Sequence, residues 1–311
     1  MMENKEKNFV SAVLYVHNQE LYLADFLRKI NTILRENFEN YEIICVDDRS
    51  TDKSVQVIAE FAKSLEEASA SILHMSYYQG VELSMNAGMD LAIGDFVLEF
   101  DKVSCDFPDE LLMQIYRTSL EGFDIVSAAP ERAERWTSRL FYQVYNRAAG
   151  KRAMLRTETF RILSRRAVNR VHSMCQSIPY RKAVYANCGL QIKTLTYKPQ
   201  ERKGVMLPEE KEMRRDMAFN SLILFTNLGY QVSSLLAGMM MLAALFIGLY
   251  TIVIFVGAKP VEGWTTTMLF LSLAFFGVFA IFAIIIKYLS ILIDLVFTKQ
   301  QYAIEGIEKL K

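Results

Sequence analysis

The sequence predicts an α/β domain with a mostly parallel sheet, followed by a membrane-embedded segment. Three observations carry that reading. Short apolar runs rich in β-branched residues alternate with amphipathic stretches from Phe9 to Ala128. The loops that follow the apolar runs are polar and acidic. Charge is divided unevenly, with 61 charged side chains in residues 1–216 and nine in residues 217–311.

Phe9–Val16 reads as a strand by its length and β-branching. Leu23, Phe26, Leu27, Ile30, Ile33 and Leu34 then fall on one helical face within Leu21–Leu34. Tyr41–Val46 is a second strand, stopped by Asp47-Asp48-Arg49-Ser50, and Ser50, Thr51 and Asp52 form an N-cap region for a helix over Val55–Leu65. Ser71–Met75 is a third strand, Glu82–Ala92 a helix and Phe96–Phe100 a fourth strand. Pro108 opens a helix that runs to Leu120, in the first-turn position where its missing N–H costs nothing. Asp124–Ala128 is a fifth strand. In such sheets ligands lie outside the carboxyl ends of the strands. That rule gathers His17-Asn18-Gln19, Asp47-Asp48, the Gly80 loop and Asp101 along one edge.

Residues 130–216 differ in composition. Ten arginines lie between Arg132 and Arg170. The planar guanidinium fork suits phosphate, and for the group a phosphate or headgroup role stands beside that of a solvated helical face. Residues 217–230 read as an interfacial helix and residues 231–311 as a membrane anchor with a tail. Met217–Ala258 and Gly263–Ile286 carry no charge, and each run is long enough for a span, near 232–256 and 265–286. Lysines and arginines flank both spans, which puts residues 1–216 and both termini in the cytoplasm. MMENKEKN offers no apolar leader.

Composition excludes several classes. With 311 residues, 52% of them hydrophobic, the chain is neither disordered nor a small disulfide-stapled domain. Thirty-five basic residues balance 35 acidic ones, so no bulk polycation is offered to nucleic acid. Cys45, Cys105, Cys175 and Cys188 show no C-x-x-C pairing and read as core thiols.

VDDRSTDKS at Val46–Ser54 resembles the VDDGSTD element of family 2 glycosyltransferases, and Gln79–Asp101 resembles the N-x-G, A-x-N-x-G, A-x-G-D and D stretch of that superfamily. Glu131–Asn146, Thr159–Arg166, Lys287–Ser290 and Gln300–Tyr302 resemble the polyprenyl-phosphate branch, that of dolichyl-phosphate mannose synthase and its bacterial undecaprenyl-phosphate relatives. The resemblance covers nearly the whole chain. It implies a GT-A fold and an inverting transfer of a sugar from a nucleotide-diphosphate donor, UDP-sugar favoured, to a polyprenyl phosphate for cell-envelope glycan synthesis. It also implies a multi-pass protein of the bacterial inner membrane, with a homo-oligomer left open.

The same resemblance distributes roles. Asn18, Gln19, Asp47, Asp48, Gly80, Asp101 and Lys102 would bind the nucleotide sugar, with Asp48 on the base or ribose. Asp101, Arg132 and Arg135 would be catalytic, and Arg132, Arg135, Arg161 and Arg202 would hold the acceptor phosphate. A magnesium or manganese ion would sit at Asp101. Relatives carry Asp-x-Asp there, two carboxylates suited to a hard cation on phosphates. This chain has Asp101-Lys102-Val103, so the second carboxylate is replaced by Val103. Two alternatives therefore remain beside the active enzyme: a catalytically silent homologue that binds partners, and a transferase with a different lipid or glycan acceptor.

Overall fold

The computed structural model describes residues 5–65, 68–131, 157–174, 180–200 and 302–311, with position 143 and single helical positions between 235 and 292. The elements run β1 (Val10–Val16), α1 (Glu20–Asn37), β2 (Tyr41–Asp47), α2 (Ser54–Lys63), β3 (Ser69–Met75), α3 (Val81–Leu91), β4 (Phe96–Phe100), α4 (Glu110–Leu120) and β5 (Ile125–Pro130). Then come β6 (Phe160–Ser164), α5 (Arg165–Met174), α6 (Arg181–Asn187), β7 (Ile192–Tyr197) and β8 (Ile304–Lys309). The first nine elements were expected within a few residues at each end. The rest were not.

One eight-stranded sheet holds them in the order β7-β5-β6-β4-β1-β2-β3-β8. β1 pairs parallel with β2 and β4, β2 with β3, and β5 with β7. β6 runs antiparallel between β4 and β5, and β8 runs antiparallel on β3. The chain therefore goes from β1 outward through β2 and β3, then returns to lay β4 on the other side of β1. This reversal opens a crevice at the carboxyl ends of β1 and β4, where open α/β sheets bind ligands.

Every residue of β1 is buried, so the strand is covered on both faces. The predicted face of α1, Leu23, Phe26, Leu27, Ile30, Ile33 and Leu34, is its buried face. α3 packs against β1 and β2 closely enough to require glycine. A Cβ on Gly88 would stand 2.7 Å from Val46 Cγ2 and closer still to Val13 Cγ1. Phe100 stacks on Phe160 at 5.2 Å, and Phe107 lies 4.6 Å from Phe160. The loop between Phe100 and Phe107, which carries Asp101 and Lys102, is thereby pinned at both ends.

The chain divides into two compact units, residues 1–218 with 300–311, and residues 219–299. In the second unit Leu235, Met239, Leu242 and Phe246 are helical, exposed and spaced as one helix face. Among the described residues no helix is long and apolar enough to cross a membrane, and the two runs read as spans fall mostly outside those residues. The interfacial segment 217–230 lies outside them altogether.

Candidate active site

The loops after β1 and β2 are joined by short polar bonds. Thr51 N–H donates to Asn18 Oδ1 at 2.8 Å, Asn18 N–H to Ser50 Oγ at 3.2 Å, and Gln19 N–H to Ser54 Oγ at 2.9 Å. Ser50 N–H donates to Asp47 Oδ1 at 3.1 Å, which closes the turn after β2. Asn18 (φ 52°) and Arg49 (φ 58°) are the non-glycine residues in the left-handed region among the described residues, and both sit at this edge. Such strain persists where the surroundings over-determine it, and it collects at functional sites.

Asp48 ties these loops to the next one. It is fully buried. Its Oδ1 accepts the Gln79 N–H at 2.8 Å, and its Oδ2 accepts the Gly80 N–H at 2.7 Å and the Tyr15 hydroxyl at 3.0 Å. Gly80 (φ 82°) starts α3, so Asp48 sets the entry to that helix. Burial pushes the Asp48 carboxyl up, and the bonds from Gln79, Tyr15 and Gly80 only partly offset that push.

Asp101, at the end of β4, faces two guanidiniums. Arg161 Nη2 donates to Asp101 Oδ2 at 2.7 Å, and Arg181 Nη2 to Asp101 Oδ1 at 2.5 Å. Arg161 is the register partner of Glu99 across β4 and β6, and its Nη1 reaches Glu99 Oε2 at 2.9 Å. Arg181 is completely buried, and its other nitrogens go to Glu82 Oε2 and Glu99 Oε1 at 2.9 and 2.8 Å. Tyr185 donates to Glu99 Oε1 at 2.7 Å. Burial alone would raise the Asp101 carboxyl, but Arg161 and Arg181, with Lys182 beyond them, hold it well below the usual carboxylate range.

A model of glycosyl transferase family 2 matches residues 11–172, which is just over half of the chain and takes in β1 through most of α5. The chain belongs to glycosyl transferase family 2. The expected enzyme class, a hexosyl-type transferase, agrees with that membership.

Relatives extend the match. An uncharacterised glycosyltransferase, sll0501, of Synechocystis is 29% identical over 58% of this chain and 58% of its own length. The uncharacterised glycosyltransferase YkcC of Bacillus subtilis is 23% identical over 96% of this chain and 94% of its own. The undecaprenyl-phosphate 4-deoxy-4-formamido-L-arabinose transferase of Aeromonas hydrophila is 26% identical over 48% of this chain and 46% of its own. The chain thus spans about half the length of the named transferase. Among solved structures, glucosyl-3-phosphoglycerate synthase from Mycobacterium tuberculosis superposes with a TM-score of 0.53 at 16% identity, over 71% of this chain and 80% of that one. The same synthase with Mn2+ and UDP-glucose superposes at 0.51, over 71% and 79%. These likenesses establish the GT-A-like α/β fold.

Within this family-2 domain, the residues at Asp101 do not fit a divalent cation. Both Asp101 oxygens already accept from buried guanidiniums that their other carboxylate partners hold in place. Val103, where a second carboxylate was sought, packs against the hydrophobic core. Among the described residues no group of three histidine, cysteine, aspartate or glutamate side chains could hold a metal ion.

Asn18, Gln19, Asp47, Asp48, Gly80 and Asp101 all lie at the carboxyl edge of the sheet, and Lys102 is exposed beside Asp101. Arg161 lies under that edge and faces carboxylates, with Glu158 as its third neighbour at 3.2 Å. Arg132, Arg135 and Arg202 lie outside the described residues. The sequence reading missed Glu82, Glu99, Arg181 and Tyr185. Glu99 carried a usable signal, since an acid inside the apolar run Phe96–Phe100 must find a cation once buried. Arg181 carried none, because its segment shows no periodicity. Cys45 is an inert core thiol, pushed up to about 12 chiefly by burial.

Proposed function

We propose that this chain transfers a sugar from a nucleotide-diphosphate sugar, UDP-sugar favoured, to polyprenyl (undecaprenyl) phosphate at the inner face of a bacterial membrane, with inversion. One observation carries the donor half of this reading. Asp48 binds the Gly80 entry of α3 to the strained loops after β1 and β2, beside the crevice at the β1/β4 reversal, and so pre-forms a rigid polar edge. The acceptor half rests on the relatives named undecaprenyl-phosphate transferases and on the exposed apolar face Leu235, Met239, Leu242 and Phe246, which suits lipid.

The chemistry asks little of a base. A phosphate monoester has its second pKa near 6 and is already largely a dianion at neutral pH. The site must align the attack and stabilise the departing diphosphate. Asn18, Gln19, Asp47 and the Gly80 loop would hold the nucleotide, and Asp101, fixed by two arginines, would line the donor site as a charge of set position. Lys102, Arg132, Arg135 and Arg202 would face the phosphates, while Arg161 serves through Asp101.

A second reading, the catalytically silent homologue, is favoured by the full engagement of Asp101 and the loss of the second carboxylate at Val103. One experiment separates the two. Full-length protein in detergent is given labelled nucleotide sugars and undecaprenyl phosphate. A chloroform-soluble labelled product supports the transferase. Its absence with every donor, from folded protein, supports the silent homologue, and a product on another lipid would move the acceptor.

A further inference from the structure

The last residues of the chain return to the donor edge. β8 covers β3 in register from Ser71↔Lys309 to His74↔Gly306, and the ladder then slips at His74/Met75. Past that irregularity Met75 still pairs with Ile304, and a side chain then joins the contact. The Gln79 amide donates from Nε2 to the Ala303 carbonyl at 2.7 Å and accepts the Ala303 N–H on Oε1 at 2.9 Å. Ser76 N–H shares the same carbonyl at 3.1 Å. Gln79 is buried, and a buried amide left without partners is costly, so this two-point clasp defines its position. The backbone N–H of the same residue is held by Asp48, and the next residue is Gly80.

Two further ties hold residues 302–305, one of them at the same edge. Glu305 pairs with Arg49, the left-handed residue after β2, at 2.8 Å. The Tyr302 hydroxyl donates to Asp90 on α3. Two separate parts of the donor edge, the β2 loop and the Gly80 loop, are thus bonded to residues 302–305, which follow the 219–299 unit in sequence, and α3 is bonded to them at its other end. An edge strand needs covering to prevent pairing with another chain, and residues 304–309 do that. Ser76 N–H carries the backbone pairing on to Ala303, but the two bonds of the Gln79 side chain are not ladder bonds, so edge protection does not account for them.

We propose that the C-terminal strand is a working part of the donor site. Gln79 is a positioning residue through which the returning chain end holds the Gly80 loop in the shape that receives the nucleotide. The inference rests on the reading of that loop as the nucleotide site. The prior order of the loop is what the clasp supplies, and loss of order before binding appears as weaker affinity.

The test is titration calorimetry of the full chain in detergent with UDP, and with GDP as a second probe, alongside thermal melting. Gln79→Ala removes both bonds, and Ala303→Pro removes one of them from the opposite side. Each is expected to weaken nucleotide binding about 5–10-fold, the range one or two net hydrogen bonds supply. The double variant is expected to lose no more than Gln79→Ala, because the two act on one contact. Gln79→Glu, which keeps only the acceptor, falls between wild type and Gln79→Ala. Variants that melt earlier yet bind with wild-type affinity would overturn the inference and leave the donor reading intact. A wild-type chain that binds neither nucleotide would overturn the donor reading, and this inference with it.

Discussion

Arg181 Nη2 lies 2.5 Å from Asp101 Oδ1, although the two residues are eighty positions apart in sequence. The guanidinium is fully buried and is shared among Asp101, Glu99 and Glu82. Asp101 is therefore a carboxylate of fixed position and fixed charge at the mouth of the crevice. A buried arrangement of this kind adds little net stability over an apolar one, but breaking it is expensive.

Arg181→Ala leaves Glu82 without its guanidinium and Glu99 and Asp101 with Arg161 alone. The expected loss is about 3–5 kcal/mol, read by chemical denaturation. Its pH dependence has a definite sign. In the wild type Asp101 is depressed, so its contribution is complete above the ordinary carboxylate pKa and is lost only as pH falls far below it. In the variant Asp101 loses one of the guanidiniums that depress it, so part of that contribution is gone. The deficit should be smaller at pH 3, where the wild type is losing the contribution too, than at pH 7. An equal deficit at both would contradict the assigned charges.

Because both Asp101 oxygens are engaged, nucleotide affinity should not depend on a divalent ion. UDP titrated into the full chain is expected to bind with the same affinity in chelator as in manganese. A tenfold loss in chelator would mean that Asp101 gives up an arginine to hold a cation.

Asp48→Ala strips the acceptor from the buried N–H groups of Gln79 and Gly80, at about 1–3 kcal/mol per unsatisfied group. Folding stability should drop and UDP binding should fall with it. Since the folded carboxyl is raised, ionising it costs stability as pH rises from the ordinary carboxylate range through its folded value. The variant should lack that slope in urea midpoints measured from pH 4 upward.

Gly88→Ala places a methyl group against Val13 and Val46 and forces α3 off the sheet. A cost of about 1–3 kcal/mol is expected, with part recovered by Val13→Ala, which restores the space. Full additivity of the two losses would mean that α3 does not lie where it is described.

Residues 219–299 leave and rejoin one folded unit, because β8 is hydrogen-bonded to β3. Whatever part of that segment crosses a membrane must then do so an even number of times. Single cysteines introduced at Lys198 and Ile307, with the four native cysteines replaced, should react with an impermeant maleimide from the same side of the membrane. For two spans, a cysteine at Lys259 should react from the other side. Labelling of 198 and 307 from opposite sides would be incompatible with the β3–β8 pairing.

Periodicity and turn chemistry were enough to read β1 through β5, since β1, β2, β4 and β5 are mostly buried runs and α1 and α4 carry amphipathic stripes. The motif order was enough to read the family and the edge where Asn18, Asp47, Asp48, Gly80 and Asp101 gather. β6 escaped because Arg161 interrupts its apolar run, and a buried arginine makes sense only once Glu99 is seen beside it in register. β8 escaped because it is an exposed edge strand, Ile-Glu-Gly-Ile-Glu-Lys, with little burial to impose an alternation.

The family thus came from the resemblance of its motifs, while the local pattern of apolar and polar residues settled the class of fold and the order of its first elements. Those depend on interactions between near neighbours along the chain, which any sequence displays. Which charges meet depends on contacts between distant segments. Arg181 with Asp101, and Gln79 with Ala303, are such pairs. Their energies come from burial and hydrogen-bond geometry that exist only after the sheet has brought α6 and the chain end to the same edge.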